Sequence, residues 1–256
     1  MIDIDNEFLL FAGQDNVPEI FYTIEGEGEY IGQPSVFFRF FGCNLTCKGF
    51  ASADSPHGCD SYVSWSIKNK LSFRETFDII EREKFVDKLR EGAIMKLTGG
   101  EPLARQNQLL KFVQAFSERY EFVPRIDFET NATLMPDEEW INRWDATFTT
   151  SPKLTTNGDP EDKTYKPEVL KWHVDHFSGF KFVINTSEDL DEIWRKYVND
   201  ENGINCPLHR IWVMPCCGSR TEHIERAPAV AEYAKALNVN FSPRLHLLLW
   251  DKALKV

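Results

Sequence analysis

Alternation constrains this chain more than any other feature. SVFFRFF at 35–41 is rich in β-branched and aromatic residues and predicts a strand. Phe73, Phe77, Ile80, Phe85 and Leu89 then recur with helical spacing, predicting one helix from Phe73 to Leu89. AIMKLT at 93–98 predicts a strand ended by Gly99-Gly100, and Leu109, Leu110, Val113 and Phe116 mark the buried face of a helix over 103–120. RIDFET at 125–130 is the next strand. Pro136 followed by Asp137, Glu138 and Glu139 reads as a helix start. DATFTTS at 145–151, FKFVIN at 180–185, RIWVMP at 210–215 and RLHLLLW at 244–250 read as strands. Helices are expected over 168–177, from a Ser187 cap, and over 223–237. TTNGDPEDKTYKP at 155–167 reads as an exposed polar excursion. Repeated strand–helix alternation implies a parallel sheet covered by helices. The pattern alone leaves an open barrel and a doubly wound sheet both open. In either, a site belongs in the loops after the strand C-termini.

A chain of 256 residues supports one large core, and no repeat or linker divides it, so 1–256 reads as a single domain. Forty acidic against 29 basic residues, a formal charge of -11, argue against a nucleic-acid backbone as partner while leaving room for a local basic pocket. No apolar run approaches the ~18 residues of a membrane span. MIDIDNEFLLFAGQDN lacks the pattern of a signal peptide, so a cytoplasmic location is expected. There, six cysteines are thiols, ligands or catalytic groups rather than disulfides.

Three of them share FFGCNLTCKGFASADSPHGCDSYVSW, from Phe40 to Trp65. Cys206, Cys216 and Cys217 read as small buried hydrophobes. For Cys43, Cys47 and Cys59, zinc with His57 as a further ligand is one reading. A four-iron cluster held by three thiolates, its fourth iron open to another ligand, is the other. The loop resembles the cluster loop of the radical S-adenosylmethionine (SAM) superfamily, in which three cysteines are separated by three and then two residues. Cys43-Asn44-Leu45-Thr46-Cys47 matches the first half. The third cysteine would fall at Phe50. Cys59-Asp60-Ser61 instead resembles the loop's end, after nine extra residues forming an insertion around 48–58. Such lengthening costs about 1.5 kcal/mol of closure entropy. A metal–thiolate site contributes far more, on the order of 10 kcal/mol for structural zinc.

YTIEGEGEYIGQPSVFFRFFGCNLTC, CDSYVSW, TGGEP, ETN, SPK, KFV, WVMP and RLHLLLW follow in the order of one family within that superfamily, the 7-carboxy-7-deazaguanine synthases. The resemblance implies an incomplete (β/α)6-type barrel, a [4Fe-4S] cluster, SAM and Mg2+. It also implies a homodimer, no nucleic-acid or membrane partner, and a reducing protein such as flavodoxin or ferredoxin. The implied reaction converts 6-carboxy-5,6,7,8-tetrahydropterin to 7-carboxy-7-deazaguanine and ammonia, toward queuosine or related deazaguanines, by SAM-derived radical chemistry. Cys43, Cys47 and Cys59 would hold the cluster and Ser61 the magnesium. Thr98, Gly99, Gly100, Glu101, Thr130, Asn131, Ser151 and Lys153 would bind SAM. Glu27, Gly28, Arg39, Asp60 and His246 would bind the pterin, and the Val256 carboxylate would approach the site. Glu25 stands where glutamine is usual, Ser61 where threonine is usual, and Ala132 where glycine follows ETN. Two alternatives stay open: another radical SAM enzyme, such as a glycyl-radical-activating enzyme, and a zinc-stabilised interaction protein.

Overall fold

The computed structural model describes residues 2–51, 56–59, 61–199 and 203–253. Its sheet contains β1 (Phe8–Phe11), β2 (Ile20–Ile24), β3 (Pro34–Phe40), β4 (Asn69–Ser72), β5 (Ile94–Gly99), β6 (Arg125–Thr130), β7 (Thr147–Thr150), β8 (Gly179–Ile184), β9 (Ile211–Pro215) and β10 (Asn240–Phe241). The strand order is β10-β9-β8-β7-β6-β5-β3-β1-β4, with β2 also paired to β3. From β3 to β10, through β5, every pairing is parallel and follows chain order without reversal. A doubly wound sheet would reverse its order at a switch point. Crossovers of one hand in one direction place the helices on a single face. The other face is left as the inside of an incomplete barrel. The edges are β4 and β10, so the sheet stays open. An antiparallel annex of β1, β2 and β4 widens it, which the purely parallel expectation omits.

Register fixes what each face carries. Phe38 pairs with Leu97, Leu97 with Phe128, Phe128 with Phe148, and Phe182 with Val213. All are buried and point toward the helices. The helix Phe73–Arg82 is closed by a capping box between Ser72 and Glu75, and with Gln106–Tyr120 it supplies Phe77, Phe112 and Phe116 to this layer. A second apolar cluster covers β8 and β9 beneath Arg220–Leu237. The alternate residues, Arg39 beside Thr98 and Lys96 beside Asp127, face inward.

Several local expectations change. The helix expected over 73–89 is two, Phe73–Arg82 and Phe85–Arg90, parted at Lys84 with φ +59. After Pro136 the helical residues begin only at Glu139, whose N–H donates to the Asp137 carboxylate at 2.8 Å. Ser187 makes no side-chain cap. The Asp189 carboxylate accepts instead from the backbone N–H groups of Asn185 and Thr186, at 2.7 and 2.9 Å. RLHLLLW is a helix, Leu245–Trp250, because the last sheet position is taken by β10, and an unbranched leucine run suits a helix as well as a strand. The excursion at 155–167 is not simply exposed. It holds a 3₁₀ turn, Thr155–Asn157, and a short helix, Glu161–Thr164, with Asn157 at 0% exposure. No described helix is long and apolar enough to cross a membrane.

Candidate active site

The inward row lies beneath a cavity of about 590 Å³ at the C-terminal ends of the parallel strands. Charges placed in strands buried on both faces need partners. Lys96 lies 2.6 Å from Glu25 and 2.7 Å from Asp127. Lys181 lies 2.6 Å from Glu27 and 2.5 Å from Glu129, and Glu27 also pairs with Arg244 at 2.7 Å. Burial acts to raise the Glu129 carboxyl, but Lys181 and Lys96 overcome it and hold the group at about 2. Glu27 is likewise held well below the usual carboxylate range by Lys181 and Arg244, against its burial. Burial raises Glu25, and Lys96 opposes the rise. The Glu25 carboxylate is therefore met by a cation inside the barrel. Lys96, Asp127, Lys181 and Arg244 went unassigned in the sequence reading. A lysine or carboxylate alternating with core residues, as in IMKLT, IDFET and FKFVI, is the signal that finds three of them.

The cysteine loop rises over one side of this cavity, and Cys43, Cys47 and Cys59 all line it. Each sulfur accepts an N–H from a different neighbour. Leu45 N donates to Cys43 at 3.4 Å, Asn157 Nδ2 to Cys47 at 3.7 Å, and Trp65 Nε1 to Cys59 at 3.3 Å. Burial pushes the Cys43 thiol up to about 11 and also raises Cys47. Thiols of this kind are kept protonated until a metal displaces the proton. Soft donors furnished with N–H groups around a shared space fit an iron–sulfur cluster. Among the described residues no three His, Cys, Asp or Glu side chains converge on one ion. The insertion closes on itself: a Cβ at Gly58 would lie 2.3 Å from Cys47 O, so the returning arm packs against the outgoing one. His57 is exposed and stacks on Tyr62, with centroids 4.5 Å apart.

The strand-end motifs brace this loop. A Cβ on Gly99 would come within 2.3 Å of Phe40 backbone, and one on Gly100 within 1.9 Å of Gly42 O. The glycine pair thus lets β5 approach the root of the cysteine loop. Glu101 does not line the cavity. It is fully buried and accepts from Leu103 N, Thr130 Oγ1 and Asn131 N, at 3.0, 2.9 and 2.8 Å. Burial raises its carboxyl to about 7 in spite of these bonds. Asn131 Nδ2 donates to Asn44 Oδ1 at 2.9 Å, tying β6 to the loop. Ala132 adopts φ +57, so the turn keeps the geometry that favours glycine, at roughly 1–2 kcal/mol. Thr98, Gly99, Gly100, Thr130, Asn131, Ser151 and Lys153 all line the cavity, with Lys153 Nζ donating to Ser151 Oγ at 2.8 Å.

The EGEG segment meets the C-terminal helix across the opening. A Cβ on Gly26 would lie 2.3 Å from His246 Nδ1, and Gly28 N donates to Ser242 Oγ at 2.8 Å. His246 Nε2 stands 3.9 Å from Glu27 Oε1. Arg39 pairs with Glu19 at 2.7 Å and reaches Ser61 Oγ at 3.5 Å. Glu27, Arg39, Ser61 and His246 line the cavity, whereas Gly28 does not. Asp60 and Val256 lie outside the described residues. Cys206 is a buried core thiol, but Cys216 and Cys217 belong to the cavity wall. The loop after β9 turns them inward, which their apolar character does not reveal.

Comparison with known proteins fits this arrangement. A family model described as a 4Fe-4S single cluster domain matches residues 24–135, the span that contains all three loop cysteines. The 7-carboxy-7-deazaguanine synthase of Aquifex aeolicus is 33% identical over 182 residues, covering 70% of this chain and 68% of that protein. The chain belongs to the 7-carboxy-7-deazaguanine synthase family. The synthase of Hyperthermus butylicus is 29% identical over 91% of this chain and 92% of the relative. The crystal structure of QueE from Escherichia coli shares the fold, with a TM-score of 0.56 and 19% identity, over 91% of this chain and 92% of that chain. The family is one of radical SAM enzymes, so the incomplete barrel and the cysteine loop have the context that the sequence motifs imply.

Proposed function

We propose that the chain is a radical SAM lyase, a 7-carboxy-7-deazaguanine synthase that converts 6-carboxy-5,6,7,8-tetrahydropterin to 7-carboxy-7-deazaguanine and ammonia. One observation carries this reading: Cys43, Cys47 and Cys59 open into the same cavity as Glu27, Arg39 and His246. Cys43, Cys47 and Cys59 hold a [4Fe-4S] cluster. When bound, the cluster and SAM supply the one-electron chemistry. The protein holds and orients the reacting groups and keeps water out.

Thr98, Gly99, Gly100, Thr130, Asn131, Ser151 and Lys153 form the SAM side, with Glu101 keeping Thr130 and Asn131 in place rather than meeting SAM itself. Arg39, already oriented by Glu19, offers its guanidinium to the substrate carboxylate. Glu27 keeps lone pairs for the pterin N–H groups while Lys181 and Arg244 balance its charge. His246 closes the same end, and Gly28 holds the segment in place. Ser61 offers a hydroxyl to Mg2+, a hard ion that takes oxygen ligands. Asp60 is assigned to the pterin by resemblance alone. A flavodoxin or ferredoxin reductant, a homodimer, a cytoplasmic location and a product bound for queuosine belong to the same reading.

Anaerobic mass spectrometry of reconstituted protein with SAM, Mg2+, reductant and the carboxypterin tests it. The expected result is a deazaguanine carboxylate that is absent when protein or SAM is omitted. Deoxyadenosine without that product would overturn the substrate assignment while keeping the radical chemistry.

A further inference from the structure

The segment after SPK, which reads as a surface excursion, grips the cysteine loop. Asp159 accepts from Thr46 N and Cys47 N, at 2.9 and 2.8 Å, and from Thr46 Oγ1 at 2.8 Å. Asn157 is wholly buried. Its Nδ2 donates to Cys47 Sγ at 3.7 Å and to Asp159 Oδ2 at 3.2 Å, and its Oδ1 accepts from Asp159 N at 2.9 Å. The backbones also touch: a Cβ on Gly49 would lie 2.1 Å from Thr156 O and 2.7 Å from the Asn157 carbonyl carbon. Cys47 itself sits at φ +51, a left-handed conformation that a non-glycine residue adopts only when its surroundings impose it. Thr156 Oγ1 donates in turn to Asp189 at 2.8 Å, so the grip is anchored beyond the end of β8.

We propose that Asn157 and Asp159 are positioning residues for Cys47, Asp159 by fixing its backbone and Asn157 by donating an N–H to its sulfur. The inference rests on Cys47 being a cluster ligand. Reduction adds negative charge that spreads onto the ligand sulfurs, and an N–H aimed at a sulfur stabilises that charge. Asn157 therefore makes the cluster easier to reduce. A purely structural buried asparagine would leave the potential untouched.

Asn157→Ala, reconstituted anaerobically without SAM, is compared with the wild type by iron content and by a redox titration followed by electron paramagnetic resonance. The expected outcome is full iron with a one-electron reduction equilibrium about tenfold less favourable, a midpoint 59 mV lower. Full iron with an unchanged or higher midpoint overturns the proposal. Alkylation of the cluster-free protein, read peptide by peptide, tests the contact by a second route and decides the matter if the variant loses iron. Cys47 is expected to react several-fold more slowly in Asn157→Ala, because the attacking thiolate loses the N–H that stabilises it, with Cys43 and Cys59 unchanged. Equal slowing at all three, no change, or a faster Cys47 overturns the proposal. A wild-type protein that takes up no iron overturns the cluster reading instead, and the alkylation result still shows whether Asn157 stabilises charge on the Cys47 sulfur.

Discussion

The two faces of the same parallel strands are built to opposite rules. The outer face is apolar, with Phe38, Leu97, Phe128 and Phe148 in one cluster and Phe182 and Val213 in a second, all buried against helices. The inner face carries Lys96, Asp127 and Lys181, as deeply buried, and Glu129, whose side chain is 27% exposed to the cavity, all held by mutual pairing. Outside, each residue contributes by area and fit, and a smaller neighbour can be tolerated. Inside, each charge is kept only by its partner, and losing one leaves another stranded. The outer face thus holds the fold together, while the inner face holds charges in fixed positions around a cavity.

The largest expected effect comes from unbalancing the inner face. Lys181→Met leaves Glu129 and one oxygen of Glu27 without their cation. It is expected to cost about 3–5 kcal/mol in urea unfolding of the cluster-free protein. A loss below 1 kcal/mol would erase the distinction between the faces.

Glu101 gives the next largest effect, as a pH dependence. Its native carboxyl is raised from 4.5 to about 7, so the native state binds that proton more tightly than the unfolded chain. This contribution is fully present below about pH 4.5. It is lost as pH rises toward about 7, by about 3 kcal/mol in total. Glu101→Gln should be less stable overall, because its amide faces a backbone N–H, yet it should lack that slope. Identical slopes in the two proteins would assign the pH dependence elsewhere.

The smallest effect lies on the outer face. Ile184→Val, at a position 3% exposed, should cost about 0.5–1.5 kcal/mol in thermal unfolding and leave iron uptake unchanged. A change in iron uptake would mean that the two faces are coupled.

Much of this was legible in the sequence. The strands at 35–41, 93–98, 125–130, 145–151, 180–185 and 210–215 read correctly because buried parallel strands are dense in β-branched and aromatic residues. The cysteine loop was legible as part of the site because it follows a strand C-terminus, whereas Cys216 and Cys217, read as core thiols, line the cavity as well. RLHLLLW was misread because five apolar residues among the six from Leu245 to Trp250 do not distinguish a strand from a helix. The excursion at 155–167 was misread because polar composition describes hydrogen-bonding capacity, not exposure. Asn157 and Asp159 spend that capacity on the cysteine loop.

The sequence alone determined the alternation, and with it a parallel α/β sheet, together with the cysteine loop and the motifs that mark the family. Those are local properties, fixed by propensity, periodicity and spacing along the chain. Only the tertiary structure decided that the sheet winds in one direction into an open barrel, that Lys96 and Lys181 neutralise carboxylates from other strands, and that Asn157 meets Cys47 across 110 positions. Each of these depends on which strand ends lie side by side, and that is set by packing of the whole chain.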